Sequence, residues 1–241
     1  MSGSSKIAMI SPTVLNSIDG NPFEVSLFRV FRNMKSSVCS VFPSLSRSGQ
    51  QKGVFLMPTT QPSTVGSLLS WGEDAENEKN RLLLAFFALA EKMKTIVEEE
   101  NNRGSDIFFD YVDPCSGLPM ISDSNCVYDE VASHQSLLGY KVRAIEPGVG
   151  LFTFLLFVVC CFVFILGPNC CSRAKEQTIS LLCAPDLITL TIPHRQVCTA
   201  GGCKVMLHDK WGDACYPATI VLAGSEESVL RVARATMDLL Q

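Results

Sequence analysis

The 241-residue chain lacks a concentration of positive charge. Its 20 lysines and arginines are outnumbered by 24 acidic residues, the formal net charge is -4, and no segment gathers the basic residues into a stripe. Proteins that bind nucleic acid neutralise its phosphates with such a stripe. The composition therefore predicts that nucleic acid is not a partner.

Histidine is also scarce. Only His134, His194 and His208 occur, and they are far apart in the sequence. A metal centre or an acid–base centre built from imidazoles has little material here. We expect each histidine to be either exposed or hydrogen-bonded inside the fold.

The familiar signatures of catalysis are missing as well. The chain has no Walker-type glycine loop, no GxSxG motif and no HExxH motif, and the glycines at 148 and 150 lack the third glycine of a dinucleotide-binding loop. No Arg- or Ser-rich segment suggests a site for the phosphate of a flavin. The familiar catalytic signatures are thus absent, and nothing here encourages the alternative of a flavin-dependent reductase.

Eleven cysteines are present, but they do not predict a disulfide framework. The number is odd, the chain is long, and no apolar signal-peptide core opens it, so a reducing compartment is favoured. The set Cys198, Cys203, His208 and Cys215 has the soft donors of a zinc site. Its spacing is typical of neighbouring strands and not of a CxxC knuckle, which favours ordinary buried cysteines.

Residues 1–41 carry many serines and several basic residues without a sustained apolar period. This composition predicts a loose leader. A transit peptide is the alternative, because such peptides are rich in Arg and Ser and poor in acids.

From residue 53 onwards the patterns are those of regular structure. A short apolar run predicts a strand at 53–57, the polar residues 59–64 predict a loop, and 74–103 has acidic first turns and an apolar face typical of one long helix. Gly104 is placed to end that helix.

The rest of the chain adds mainly strands. Runs at 107–112, 204–208 and 218–222 are typical of strands, and a final helix should follow the N-cap residue Ser225. This order predicts an α+β sandwich with helices on a mainly antiparallel sheet.

Four segments resemble a known family in content and order. They are DYVDPCSGLP at 110–119, LGYKV at 138–142, GCKVMLH at 202–208 and WG at 211–212. Together they resemble the cobalamin-trafficking proteins of the methylmalonic aciduria and homocystinuria type D family. The resemblance covers 42–142 and 198–241, as one domain split by 143–197.

The resemblance implies a nitroreductase-like α+β fold without bound flavin and without a reaction of its own. It implies an adaptor that carries cobalamin as cargo and pairs with the type C cobalamin-processing protein. Such an adaptor directs the processed cofactor to cytoplasmic methionine synthase and mitochondrial methylmalonyl-CoA mutase. The expected location is therefore the mitochondrion, the cytoplasm or both.

The resemblance also implies one site residue. In the family, a cysteine thiolate beside the strand is thought to coordinate the cobalt of cobalamin, and a soft thiolate suits an axial position on that metal. Animal-like members have two adjacent cysteines before Lys-Val, whereas this chain has Gly202 and Cys203. Cys203 is thus the candidate cobalt ligand, and an ordinary strand cysteine is the alternative.

The insert at 143–197 is hydrophobic and rich in cysteine. Its uncharged run at 149–166 is long enough to suggest a membrane span. A single crossing would place the two halves of the split domain on opposite sides of a membrane, which argues against a span. The alternatives are an extra transcript segment, which we prefer, an extruded hydrophobic loop and a membrane-anchored protein.

Overall fold

The computed structural model describes residues 8–16, 20, 22–47, 53–70, 72–145, 188–191, 197–200 and 203–240. Its main element is an antiparallel five-stranded sheet flanked by helices, so the predicted α+β sandwich is confirmed. In chain order the sheet strands are β1 (Ala8–Asn16), β2 (Pro22–Arg29), β3 (Gly53–Pro62), β4 (Phe108–Tyr111) and β9 (Cys215–Gly224). Their spatial order is β1-β2-β3-β9-β4.

The helices among the described residues are α1 (Arg32–Val41), α2 (Ser44–Arg47), α3 (Glu73–Asn102), α4 (Glu130–Leu138) and α5 (Glu226–Asp238). The predicted long helix at 74–103 is confirmed as α3. Its predicted apolar face is buried at Leu82, Phe86, Leu89 and Met93. Gly104 follows it with a φ of 96°, which L side chains rarely adopt.

Two apolar layers lie on opposite faces of the sheet. Phe55 and Met57 of β3 pack in the layer that holds the buried faces of α3 and α5. Val54 and Leu56 pack in the layer that holds α1, α2 and α4. The alternation follows from the two-residue period of a strand, and it makes β3 the centre of the sandwich.

The prediction of a loose leader over 1–41 is wrong. β1 and β2 pair with each other, and β2 pairs with β3, so the N-terminal segment forms one side of the sheet. Phe23, Val25 and Leu27 are buried in the α3 layer. Their spacing of two residues is the strand signal, and it lies inside a stretch whose average composition is polar.

The prediction of a loop at 59–64 is also wrong over most of its length, because β3 continues to Pro62. Residues 53–62 pair continuously with β9. On the other side, pairing with β2 runs through Phe55 and Leu56 and resumes at Thr59 and Thr60. Pro58, which has no N–H to give to the ladder, falls in that interruption.

The chain divides into two compact units, 1–142 with 206–241, and 143–205. The first holds the five-stranded sheet. In the second, β6 (Ile188–Thr191) pairs with β7 (Val197–Ala200). β5 (Lys141–Ile145) and β8 (Cys203–Leu207) form a further two-stranded sheet.

The apolar run 149–166, on which the membrane alternative depends, lies outside the described residues. Among the helices that are described, none combines the length and the apolar character needed to cross a membrane.

Candidate functional site

Side chains from distant parts of the sequence meet around one carboxylate, that of Glu24. We call Glu24, Tyr140, His208, Trp211 and Cys215 the Glu24 cluster. Glu24 Oε1 accepts a hydrogen bond from Tyr140 Oη and lies 3.2 Å from His208 Nε2. The cluster thus joins β2, the residue before β5 and the turn between β8 and β9.

A helix end and a tight turn position Tyr140 and His208 in the Glu24 cluster. Helix α4 is capped at its N-terminus by Asp129, whose carboxylate accepts from the N–H of Ala132, and at its C-terminus by Gly139, which has a φ of 80°. Tyr140 follows directly. His208 and Gly212 close the turn after β8 by exchanging two backbone hydrogen bonds of 2.8 Å.

The turn also fixes the tautomer of His208. Its Nδ1 is 3.1 Å from the backbone N–H of Lys210 and 3.3 Å from that of Trp211. A nitrogen that accepts from N–H groups carries no proton, so the proton of the neutral ring is on Nε2 and points to Glu24. Both ring nitrogens of His208 are therefore already engaged.

Two aromatic rings pack against this histidine. The ring of Trp211 stacks on His208 with centroids 4.1 Å apart and planes at 15°. The ring of Tyr140 is 4.8 Å from His208 and tilted by 58°. Lys210 Nζ lies 5.7 Å from the centre of the Trp211 ring, within the range of a cation–π contact.

The electrostatics of the cluster favour an ionised Glu24. Burial raises the pKa of Glu24, but the hydrogen bonds from His208 and Tyr140 outweigh burial, so its pKa lies below the ordinary value. Burial and the bond to the Glu24 carboxylate both raise the pKa of Tyr140. Both shifts favour an ionised Glu24 carboxylate that accepts from a protonated Tyr140 hydroxyl.

Cys215 is a thiol and not a thiolate. Its Sγ donates to the backbone oxygen of Gly212 over 3.3 Å, and burial raises its pKa to about 11. A protonated thiol is a poor metal ligand. Of the four candidate zinc ligands, Cys215 is therefore a protonated thiol, and both ring nitrogens of His208 already have hydrogen-bond partners. Among the described residues, no group of side chains is arranged to bind a metal ion.

Cys203, the candidate cobalt ligand, is the first residue of β8, the strand that leads into His208. Its side chain lies outside the described residues, as do those of Cys198 and His194. The role of Cys203 therefore stays a prediction.

A second group of polar side chains, Glu130 and His134, lies on the inward face of α4. Glu130 Oε2 accepts a 2.6 Å hydrogen bond from Thr219 Oγ1, and burial raises the pKa of Glu130 to about 8. His134 places Nδ1 2.9 Å from the backbone oxygen of Glu130 and Nε2 3.3 Å from that of Thr59.

Burial lowers the pKa of His134 to about 4. Although His134 Nδ1 is only 3.4 Å from Glu130 Oε2, both groups are neutral at pH 7 and do not form an ion pair. The expectation that a buried histidine is hydrogen-bonded is confirmed for His134 and His208.

The sequence pointed to Tyr140, His208 and Trp211 through the resemblance, but not to Glu24. It lies in the segment taken for a leader. The alternating apolar residues Phe23, Val25 and Leu27 would have placed Glu24 in a strand, on the face opposite to theirs.

No model of a known protein family matches this chain, and no curated protein matches it either.

Proposed function

We propose that this protein is a non-enzymatic adaptor that carries cobalamin inside the cell. It binds the type C cobalamin-processing protein and passes the processed cofactor towards methionine synthase or methylmalonyl-CoA mutase. It acts in the cytoplasm, the mitochondrion or both. A nitroreductase-like arrangement of its sheet and helices is part of the same proposal.

The proposal depends on one observation, which is that three of the segments resembling the type D family contact one another in the fold. Tyr140 belongs to the segment 138–142, His208 to 202–208 and Trp211 to 211–212, and the rings of Tyr140 and Trp211 both contact the ring of His208. Chance matches scattered along a chain have no reason to come together in space. Their meeting supports common ancestry with the type D family.

In the remaining segment, 110–119, two carboxylates hold the backbone in place. Asp110 is buried, and its carboxylate accepts from the backbone N–H groups of Tyr111, Ile121 and Ser122. Asp113 accepts from the N–H groups of Cys115 and Ser116 and so closes the following turn. The segment 110–119 thus has two carboxylates that shape the chain around it.

The chemistry of the Glu24 cluster supports a binding protein over a hydrolase. Glu24 already accepts from two buried donors, and His208 uses both ring nitrogens. A general base needs a lone pair directed at a substrate proton. The ring nitrogens of His208 offer none, and Glu24 Oε1 is already shared by two donors, which favours a structural role in which the cluster acts as a clasp that joins β2 to the turn after β8.

Cys203 supplies the chemistry that the proposal requires. A thiolate is a soft donor that can occupy an axial position on cobalt and hold the cofactor during transfer. His208, which directly follows the same strand, belongs to the clasp.

The experiment is a co-purification with the type C protein, with and without cobalamin. We expect the wild-type chain to be retained with the type C protein and to keep cobalamin in the complex. Cys203→Ala should reduce the retained cobalamin without releasing the protein partner. Cys39→Ala is the matched control, because Cys39 is a partly exposed free cysteine on α1, outside the segments that carry the resemblance. Absence of any complex with the type C protein would contradict the proposal.

A further inference from the structure

Three large apolar side chains are exposed within one short loop. Met120, Ile121 and Val127 have exposed fractions of 45%, 52% and 55%. Val127 lies against Gly117 of the preceding turn, and the N–H of Tyr128 donates to the oxygen of Gly117. Single exposed apolar residues are common on protein surfaces, whereas a group in one loop suggests a binding surface. We call residues 113–129 the acidic loop.

The loop is held in place by its backbone. Asp110 accepts from the N–H groups of Ile121 and Ser122, and the N–H of Met120 donates to the oxygen of Tyr111. A bridge between Val112 and Pro119 fixes the start of the same stretch along the edge strand β4. These bonds use the backbone and leave the side chains of Met120 and Ile121 facing solvent.

This rigidity matters for binding. A surface that is already ordered loses little conformational entropy when a partner covers it, so more of the contact energy appears as affinity. β4 is an edge strand, and the loop covers that edge through backbone hydrogen bonds alone. The exposed apolar side chains are therefore not needed to protect the sheet.

The charge of the region indicates the chemistry of the partner. Between Arg103 and Lys141 the sequence contains six acidic residues and no lysine or arginine. Asp110 is buried and the side chain of Glu130 is only 10% exposed, but Asp123 and Asp129 are exposed in the same loop as the apolar residues. A surface that is both acidic and apolar is complementary to one that combines lysine or arginine with apolar side chains.

We propose that the acidic loop is the docking surface for a basic, apolar patch on a partner protein. The inference rests on the proposed function, which makes the type C protein that partner. Met120, Ile121 and Val127 supply the apolar centre, and Asp123 and Asp129 supply the charged rim.

The test is a titration of the full-length chain with purified type C protein by calorimetry. The variant Ile121→Ser with Val127→Ser should raise the Kd by at least about tenfold, since central apolar side chains carry most of the affinity of an interface. Leu84→Ser is the matched control. Leu84 is 66% exposed but lies on α3, so its removal should leave the Kd unchanged.

A second arm tests charge. Asp123→Asn should raise the Kd and weaken its dependence on salt between about 0.05 M and about 0.5 M, because exposed charges are screened. Asp129 is unsuitable because its side chain starts α4. Circular dichroism of every variant, together with the single variants Ile121→Ser and Val127→Ser, separates lost binding from lost folding.

The outcomes are distinct. If the wild-type chain binds and the double variant binds equally well, the docking surface is elsewhere and the proposed function stands. If the double variant instead abolishes self-association of the chain without changing the Kd, the loop belongs to a second copy of this protein and the inference is overturned. If the wild-type chain does not bind the type C protein at all, both proposals fail.

Discussion

Replacing Glu24 should destabilise the whole fold, because the clasp leaves no other acceptor for its two donors. Tyr140 Oη and His208 Nε2 both point to Glu24 Oε1, and both residues are buried. A buried donor without a partner costs about 1–3 kcal/mol. Two such donors give a loss of about 2–6 kcal/mol in the free energy of unfolding for Glu24→Ala.

Glu24→Gln is the informative comparison. The glutamine oxygen can occupy the position of Oε1 and accept both hydrogen bonds, so only the contribution of the charge is lost. Hydrogen bonds to charged groups exceed neutral ones by about 1 kcal/mol. The expected loss for Glu24→Gln is therefore about 1–2 kcal/mol, clearly less than for Glu24→Ala.

The assay is equilibrium unfolding in urea at pH 7, followed by circular dichroism, with Glu226→Ala as a control. Glu226 contacts Arg29 by an exposed ion pair, and such pairs contribute about 0–1 kcal/mol. The reasoning is refuted if Glu24→Ala unfolds within about 0.5 kcal/mol of the wild type. It is also refuted if Glu24→Gln costs as much as Glu24→Ala, because the loss would then not depend on the acceptor.

Three further predictions follow from buried carboxyl groups. The pKa of Glu24 is lowered in the fold, so the stability that its ionised form contributes is present above pH 4.5 and is lost as the pH falls through the folded pKa. Glu24→Gln should remove this dependence of the free energy of unfolding on pH, as measured by acid unfolding. The pKa of Glu130 is raised to about 8, so the stability that its neutral form contributes is fully present below pH 4.5 and is lost as the pH rises towards 8. Between pH 5 and pH 8 the free energy of unfolding of Glu130→Gln should therefore rise on the order of 2–4 kcal/mol relative to that of the wild type. A difference between the two proteins that does not change with pH would contradict a neutral Glu130. Asp110→Asn places an amide N–H against the N–H of Ser122 and should cost about 2–3 kcal/mol in urea unfolding, whereas an unchanged stability would mean that the loop does not depend on Asp110.

The elements that the sequence predicted well are those with strong local signals. Helix α3 has acidic residues in its first turn and a regular apolar face, and α5 has Ser225, whose side chain accepts from the N–H of Ser228. These signals lie within a few residues of the ends that they set. Strand β9 was found because its centre, 218–222, is almost wholly apolar.

The N-terminal strands were missed because their apolar residues are diluted by serine and charged neighbours, and because their stability comes from pairing with β3. Pro58 similarly suggested that β3 ends early, although β9 pairs with it along its full length. Strand pairing joins residues far apart in sequence, and a local pattern carries little information about it. Glu24, whose partners are Tyr140 and His208, could not be recognised as a site residue without that pairing.

The visible spectrum of cobalamin bound by the complex with the type C protein tests the central claim most directly. Thiolate coordination of cobalt changes the absorption bands, so the spectrum with the wild-type chain should differ from that with the type C protein alone. Cys203→Ala should abolish the change and Cys39→Ala should preserve it. An identical spectrum for the wild type and Cys203→Ala would contradict the ligand role of Cys203, and no spectral change with the wild type would contradict the account of this protein as a carrier that ligates cobalamin.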